Sequence, residues 1–251
     1  MALFNLCPGH GAEDSGATGP NNRKEKDDNL RISLAVGSEL ERRGHSIRHL
    51  RVDDTINNSA SVCRDWLEKN PADFSIVFHR NAYNGKAYGV EVWSFDADTF
   101  STSIASEMSA AIASASGMYN RGRKGNGASW LSPNVRCIEP EIGFTDNPSD
   151  NERFDMTFND IVKAICDTLE KWFGKVEQPK ESETAESSES VENTNEAIQE
   201  IIVKLEDVCD SLRKLSACES EISELSKVIE DQAQTIQELT SKIEQAKNAL
   251  E

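Results

Sequence analysis

The sequence predicts an α/β fold with a mostly parallel twisted sheet flanked by helices, followed by a C-terminal α-helical coiled-coil segment. Three observations predict it. Strand-like and helix-like segments alternate through the first part of the chain, which is typical of parallel strands joined by helical crossovers. Every aromatic residue lies at or before Phe173 and all seven prolines lie at or before Pro179, so a packed domain ends nearby. From Ala197 onward, apolar residues recur at heptad-like spacing.

The strands and helices of the packed domain follow from composition and periodicity. Runs rich in apolar residues predict strands, and amphipathic stretches between them predict helices. The helix that starts near residue 26 ends at Gly44, and Asn-Asn-Ser before residue 60 supplies capping side chains for the next helix. The predicted strands are residues 3–7, 46–50, 74–78, 90–95 and 135–139. The predicted helices are residues 26–43, 60–69, 101–114 and 154–173.

The domain organisation changes near residue 175. We expect a globular domain over residues 1–174, an acidic Ser/Glu-rich linker over 175–193 and a helical region over 194–251. A narrow apolar stripe on a charged helix needs a partner, so the helical region predicts a homo-oligomer. The stripe changes phase near Cys218, which predicts either a coiled-coil stammer or the turn of a helical hairpin.

Charge and composition exclude several classes of protein. The net charge of −17 opposes nucleic-acid binding, which needs clustered Lys and Arg, and it opposes electrostatic attachment to anionic membranes. No stretch approaches the roughly 18 apolar residues of a membrane span. The six cysteines form no CxxC pair, so reduced thiols are expected instead of a disulfide framework or a zinc finger.

Four places in the sequence carry residues suited to chemistry. His10 lies in a Gly-flanked loop after the first strand, and Glu25 lies at a helix start. His79 follows a buried-type strand, and Glu139 and Glu141 lie at the end of the last strand. Sites of parallel sheets lie at the carboxyl ends of the strands, so we expect these residues to meet there.

The residue types in this set suit a zinc-dependent hydrolase. Two histidines and one glutamate can hold Zn²⁺ with one coordination position open, and a nearby glutamate can take the proton of an activated water. His10, Glu25 and His79 are the candidate ligands. Glu139 and Glu141 would face the same side of a strand, so both are candidates for the proton-transfer role.

Seven motifs in order resemble the N-acetylmuramoyl-L-alanine amidase type 3 family over about residues 1–174. Each motif is weak alone, whereas the ordered set is specific. The motifs are Gly9-His10-Gly11, Glu25-Lys26-Asp27-x-Asn29-Leu30, Arg51-x-x-Asp54, His79-x-Asn81-Ala82, Gly89-x-Glu91, Asn120-Arg121-Gly122-x-Lys124 and Glu141-x-Gly143-Phe144-x-x-Asn147-Pro148-x-Asp150.

The resemblance implies a peptidoglycan hydrolase that cleaves the amide between N-acetylmuramic acid and the L-alanine of the stem peptide. It implies His10, Glu25 and His79 as zinc ligands, and the Gly143-Phe144 and Asn147 spacing selects Glu141 as the catalytic glutamate. It also implies substrate-binding residues, which are Asn81, Arg121 and Lys124. The chain departs from the family pattern at Cys7, Arg123, Arg136 and Glu139, so we expect a modified substrate groove around an intact metal centre.

Four interpretations of the biological role stay open. A phage or prophage endolysin is favoured by the amidase motifs, the appended helical region and an N-terminus without the basic region of a secretory signal. Such a protein would stay in the host cytoplasm until it is released to the cell wall. A bacterial amidase of wall remodelling or spore development shares the chemistry. A non-catalytic coiled-coil scaffold and a zinc peptidase on a related fold are the other two interpretations.

Overall fold

The computed structural model describes residues 1–125 and 128–176. Its strands are β1 (Leu3–Pro8), β2 (Ser46–His49), β3 (Phe74–Asn81), β4 (Val90–Ser94), β5 (Asn120–Gly125) and β6 (Cys137–Phe144). Its helices are α1 (Glu25–Arg42), α2 (Ala60–Lys69), α3 (Thr99–Ser116), α4 (Pro148–Met156) and α5 (Phe158–Phe173). The predicted helical region and nearly all of the predicted linker lie outside the described residues, so both stay predictions.

The strands form a six-stranded sheet in the order β2-β1-β3-β6-β4-β5. The first four strands in this order run parallel, β4 is antiparallel to β6, and β5 is parallel to β4. The α/β fold with a mostly parallel sheet is therefore confirmed. Strand β5 was not predicted, because its sequence Asn-Arg-Gly-Arg-Lys-Gly has no apolar residue, and it forms only at the edge of the sheet.

Helices cover the two faces of the sheet unequally. The larger core packs α1, α3 and α5 against residues such as Leu6, Phe78 and Ile142. The smaller core, on the opposite face, packs α2 against Cys7 and Val77. Side chains alternate between the two faces along a strand. His79, two residues after Val77, therefore shares the face of the smaller core, and that face carries the candidate site.

Two strands are longer than predicted, and this corrects the placement of two site residues. β3 extends to Asn81 and β6 extends to Phe144, so His79 and Glu141 lie inside their strands and do not follow them. His79 and Glu141 are polar and so suggested strand ends, but in the structure they share the face of the sheet that carries the candidate site, and their neighbours along each strand are buried. Gly143, at φ 72°, allows a β-bulge after Glu141 that shifts the register between β3 and β6.

The predicted closing helix over residues 154–173 is wrong as a single element. Asn147 caps a separate helix, α4, by accepting hydrogen bonds from the backbone N–H groups of Ser149 and Asp150. Pro148 occupies the first turn, where a missing N–H costs nothing. The chain leaves helical geometry at Thr157 before α5 begins. Within the described residues, no helix is long and apolar enough to cross a membrane.

Candidate functional site

The loop that carries His10 is held by a buried arginine. Arg51 is 2% exposed and donates hydrogen bonds to the carbonyl oxygens of Pro8, Gly9 and Lys26 at 3.3, 3.2 and 2.9 Å. Buried carbonyl groups need such partners, so the arginine fixes the loop against the start of α1. His10 itself adopts a left-handed φ of 62°, which is uncommon for a residue with a side chain and is found at functional sites.

Three potential metal-donor side chains converge at this point. The Glu25 carboxylate lies between the two imidazoles, with Oε1 2.8 Å from Nδ1 of His79 and Oε2 3.3 Å from Nε2 of His10. One donor atom from each residue lies within 4.8 Å of the other two. Glu25 and His79 are 4% and 3% exposed, whereas His10 is half-buried. The structure thus brings together the three residues predicted as zinc ligands.

Hydrogen bonds from the backbone and from α1 orient the central carboxylate. Oε1 of Glu25 accepts from the backbone N–H of Arg80 at 3.1 Å and from Nδ2 of Asn29 at 3.2 Å. Oε2 accepts from the backbone N–H of Ala17 at 2.9 Å. Burial alone would raise the pKa of Glu25, but hydrogen bonds from His10 and His79 hold this pKa well below its ordinary value. Glu25 is therefore ionised near neutral pH, and its carboxylate is suited to bind a metal cation.

Asp14 sets the orientation of the first histidine. Its Oδ2 lies 2.8 Å from Nδ1 of His10, so Nε2 of the same ring faces Glu25. A carboxylate on the far nitrogen is the usual arrangement behind a metal-binding imidazole. Burial opposes a charge on His10, but hydrogen bonds and charges from Glu25 and Asp14 outweigh it and raise the pKa of His10. Asp14 was not predicted, although it lies four residues after His10.

Glu141 lies beside His79 in the sheet. The two residues are paired in register between β6 and β3, and Glu141 is also paired with Glu91 of β4. Side chains paired in this way share a face, so Glu141 points toward the donor cluster. Its Oε2 is buried and has no hydrogen-bond partner within the described residues. Burial and the charges of neighbouring carboxylates, first that of Glu139, raise the pKa of Glu141 well above its ordinary value.

Glu139 is the second unpaired carboxylate of the site. It is 4% exposed and shares the face of Glu141. Its Oε2 has no hydrogen-bond partner in the described part of the chain. Burial raises the pKa of Glu139 to about 7. The two candidates for proton transfer therefore both lie on the correct face. Only Glu141 occupies the register position next to His79.

The predicted substrate-binding residues form one hydrogen-bonded group around Glu91. Asn81 donates to Oε1 of Glu91 at 2.9 Å and Arg121 donates to its Oε2 at 2.6 Å. Lys124 donates to the backbone oxygen of Arg121 at 2.9 Å. Arg123 is paired with Val92, whose side chain lies in the larger core, so Arg123 does not line the face that carries the site. Our expectation that Arg123 would modify the groove is therefore wrong.

Trp130 covers the two histidines, and sequence reasoning missed it. The indole centroid lies 4.3 Å from the His79 ring and 5.0 Å from the His10 ring. Trp130 is half-buried in the segment between β5 and β6. An isolated tryptophan between two strands carries no spacing signal, so only the fold reveals its place beside the donors.

The thiols near the site are not metal donors. Cys7, Cys63 and Cys137 are buried together in the smaller core as free cysteines. Burial raises the pKa of Cys7 well above its ordinary value and raises that of Cys137 to about 12. None of these thiols belongs to the cluster of potential donors in the described part of the chain, which is His10, Glu25 and His79. The expectation of reduced thiols is confirmed for the four described cysteines, whereas Cys209 and Cys218 lie outside the described residues.

The geometry around the three donors fits a divalent metal ion such as Zn²⁺. Two imidazole nitrogens and one carboxylate are a typical protein donor set of a catalytic zinc site. The glycine at position 16 leaves the necessary room, because a Cβ there would lie 2.6 Å from Cδ2 of His10 and 2.7 Å from Oε2 of Glu25. Fold and site together define an α/β enzyme able to hold one metal ion beside a carboxylate that has a buried oxygen.

The chain belongs to the N-acetylmuramoyl-L-alanine amidase family of type 3. The sequence pattern of this family, described as N-acetylmuramoyl-L-alanine amidase, matches residues 5–171. The sporulation-specific N-acetylmuramoyl-L-alanine amidase of Bacillus subtilis strain 168 is 30% identical over 181 residues, which are 69% of this chain and 69% of that protein. The probable cell wall amidase LytH of Staphylococcus aureus is 31% identical over 175 residues, or 67% of this chain and 57% of that protein.

A solved structure supports the same assignment. The N-acetylmuramoyl-L-alanine amidase from Clostridium difficile 630 matches with a TM-score of 0.64 and 26% identity. The match covers 68% of this chain and 96% of that structure. The chain is thus a peptidoglycan amidase by family and fold.

Proposed function

We propose that the protein is a zinc-dependent N-acetylmuramoyl-L-alanine amidase that hydrolyses the amide between N-acetylmuramic acid and the L-alanine of the stem peptide. The carrying observation is the convergence of His10, Glu25 and His79 beside Glu141, whose Oε2 is buried and has no hydrogen-bond partner within the described residues. Family membership supports the bond that is cleaved. The donor set supports zinc, which when bound supplies the Lewis acidity that activates water and polarises a carbonyl group.

Glu141 is the residue that we assign to proton transfer. Its carboxylate accepts a proton from the attacking water as the carbon–oxygen bond forms. It then returns that proton to the nitrogen of L-alanine as the carbon–nitrogen bond breaks, so the enzyme ends unchanged. A raised pKa suits the second step, because the group holds a proton firmly enough to deliver it. A cation at the donor cluster would favour the ionised form for the first step.

Arg121 and Asn81 support the substrate side of the site. They hold Glu91 beside Glu141, and Arg121 keeps about one third of its side chain exposed. Exposed guanidinium N–H groups can bind the carboxylates or carbonyl groups of a stem peptide. Trp130 forms an apolar wall next to the two histidines. Water is thereby limited on that side of the donor cluster.

The decisive experiment is digestion of purified cell walls followed by mass spectrometry of the products. We expect stem peptides with free L-alanine amino groups and glycan strands without them. A cut between two stem amino acids would instead support a zinc peptidase. A wild-type protein that neither binds zinc nor cleaves walls supplied with zinc would contradict the proposal and favour a non-catalytic scaffold.

Two matched variants test the assignment of Glu141. Glu141→Gln should lower kcat by about 10²- to 10⁴-fold, the contribution typical of a general base, while zinc binding is retained. Glu139→Gln is the control, because it lies two residues away on the same strand and face. Glu139→Gln should keep activity near that of the wild type. The opposite result would transfer the role to Glu139.

Within this activity, we propose an endolysin role, in which the protein acts on the wall from the host cytoplasm after release. The heptad-like sequence that follows the catalytic domain, which predicts a helical region, motivates this role. By their names, the B. subtilis and S. aureus relatives serve sporulation and the cell wall, so host remodelling is the alternative. Expression in a bacterial host with and without a membrane-pore protein separates the two. Lysis that requires the pore supports the endolysin, and growth without lysis in both cultures contradicts it.

A further inference from the structure

A buried arginine directly follows the second histidine of the donor cluster. Arg80 is 1% exposed and lies in β3, where alternation places its side chain on the face opposite to His79. Its Nη1 donates to Oδ2 of Asp28 at 2.5 Å, and its Nε donates to the carbonyl oxygen of Ile142 at 2.9 Å. Its guanidinium carbon lies 4.4 Å from the centroid of the Phe154 ring.

Each polar contact of Arg80 lies next to a residue of the site. Asp28 is three residues after Glu25 on α1, so both lie on neighbouring positions of the same helix. Ile142 directly follows Glu141 on β6. The backbone N–H of Arg80 donates to Oε1 of Glu25 itself at 3.1 Å. One residue therefore connects the three elements that carry Glu25, His79 and Glu141.

Folding alone does not require an ion pair at this place. Removing a guanidinium and a carboxylate from water is costly, and apolar residues of similar volume often stabilise a core equally well. Arg80 packs against Phe154 of the larger core, and its Nη2 has no hydrogen-bond partner in the described part of the chain. The pair instead fixes how α1 and β6 are placed relative to β3, since the planar guanidinium can bind Asp28 and the Ile142 carbonyl only in one orientation.

The ion pair is anchored at a distance from the site. Asp28 also accepts from Nε and Nη2 of Arg23 at 2.6 and 2.9 Å. Arg23 in turn donates to both carboxylate oxygens of Asp155 at 2.6 and 3.0 Å. This chain of charges runs from α4 through α1 to β3. It holds the start of α1, and with it the Glu25 carboxylate, against the sheet.

We propose that Arg80 is a positioning residue that aligns the Glu25 and Glu141 carboxylates with His79 and so raises the affinity of the site for zinc. The proposal rests on the proposed function, because it assumes that zinc is the metal held by the cluster. Arg80 does not touch the metal or the substrate in this assignment. It acts through Asp28, Ile142 and its own backbone N–H.

The test compares zinc affinity and folding stability in variants of two arginines. Arg80→Met keeps an unbranched apolar chain but removes both side-chain hydrogen bonds. Arg43→Met is the matched control, because Arg43 is also mostly buried against carboxylates, Asp167 and Glu170, yet lies beyond the far end of α1. Zinc Kd is measured by competition with a chelating indicator, at a temperature where urea unfolding shows both apo proteins to be folded.

Arg80→Met keeps the backbone N–H that donates to Glu25, so it should raise the zinc Kd about tenfold, the lower end of the range for lost partners of metal ligands, while Arg43→Met should leave it within about twofold. Arg80→Lys keeps the charge beside Asp28 and serves as the second test variant if Arg80→Met does not fold. It should raise Kd by about 3- to 10-fold, because an ammonium group lacks the fork that also reaches Ile142. Equal Kd values for the wild type and both Arg80 variants overturn this inference alone. A wild-type chain that binds no zinc overturns the proposed function with it.

Discussion

Replacing Asp14 with asparagine isolates the partner behind the first histidine. The substitution keeps a side chain of the same size but removes the negative charge 2.8 Å from Nδ1 of His10. Loss of such a partner typically weakens metal binding by about 10- to 100-fold. Asp14 is 38% exposed, so solvent screens part of its charge and the lower end applies. We therefore expect Asp14→Asn to raise the zinc Kd about tenfold at pH 8, or about 1.4 kcal/mol.

The pH dependence gives this prediction its sharpest form. Zinc binds the neutral imidazole, so protons compete with zinc below the pKa of His10. Glu25 and Asp14 raise that pKa above its ordinary value of 6.5. Competition in the wild type therefore begins above pH 6.5. Asp14→Asn lowers the pKa of His10, so the variant suffers less competition, and its disadvantage relative to the wild type should shrink between pH 8 and pH 6.

The assay is chelator competition for zinc at pH 8 and pH 6 with the wild type, Asp14→Asn and Glu13→Gln. Glu13→Gln is the matched control, because it removes the same charge one residue away from an exposed position. Its zinc Kd should equal that of the wild type at both pH values. An Asp14→Asn defect that is equal at both pH values, or larger at pH 6, would refute the electrostatic reasoning. No defect at pH 8 would refute the orienting role.

Two further predictions concern the metal cradle and the C-terminal region. Gly16→Ala should lower the free energy of unfolding by about 1–2 kcal/mol, because φ is 62°. It should also weaken zinc binding, because the new methyl group would meet His10 and Glu25. The control is Gly174→Ala, at φ 82° with no heavy atom within 4 Å, which should show a stability cost in urea unfolding but no zinc defect in chelator titration. Sedimentation of the full chain should show an oligomer and residues 1–176 a monomer, and equal monomeric behaviour of both would contradict the predicted coiled coil.

The sequence was sufficient to predict that His10, Glu25 and His79 meet at one place, but not which side chains surround them. His10, Glu25 and His79 carry recognisable neighbours such as glycines and a helix start, and the order of these motifs predicts one site. Trp130 reaches the same site from a segment between β5 and β6 that has no pattern of its own. Its role depends on how a loop crosses one face of the sheet, and this is a property of the fold.

The errors at the element level have a common physical cause. The predicted β3 ended at Phe78, before the polar residues His79 and Arg80, and the predicted β6 ended at the polar residue Glu139. In the structure, the ionisable residues Arg80 and Glu139 are buried inside the strands, since Asp28 pairs with the arginine and burial favours the neutral form of Glu139 by raising its pKa to about 7. Strand β5 is instead a strand without apolar residues, which can form because it lies at the edge of the sheet and pairs only with β4. Local composition reveals neither the partners of the buried ionisable residues nor the edge position of β5.

The electrostatics of the site favour a divalent cation at the donor cluster. Four carboxylates, those of Glu25, Glu91, Glu139 and Glu141, are each at least nine-tenths buried or have a buried oxygen. Two imidazoles contact Glu25 and one guanidinium contacts Glu91, whereas Glu139 and Glu141 have raised pKa values. Buried carboxylates without cations hold protons instead of charge. A divalent cation at the donor cluster would reverse this preference and favour the ionised form of Glu141, which takes a proton from water. The same cluster that would bind the metal would therefore control when Glu141, the proposed general base, is available.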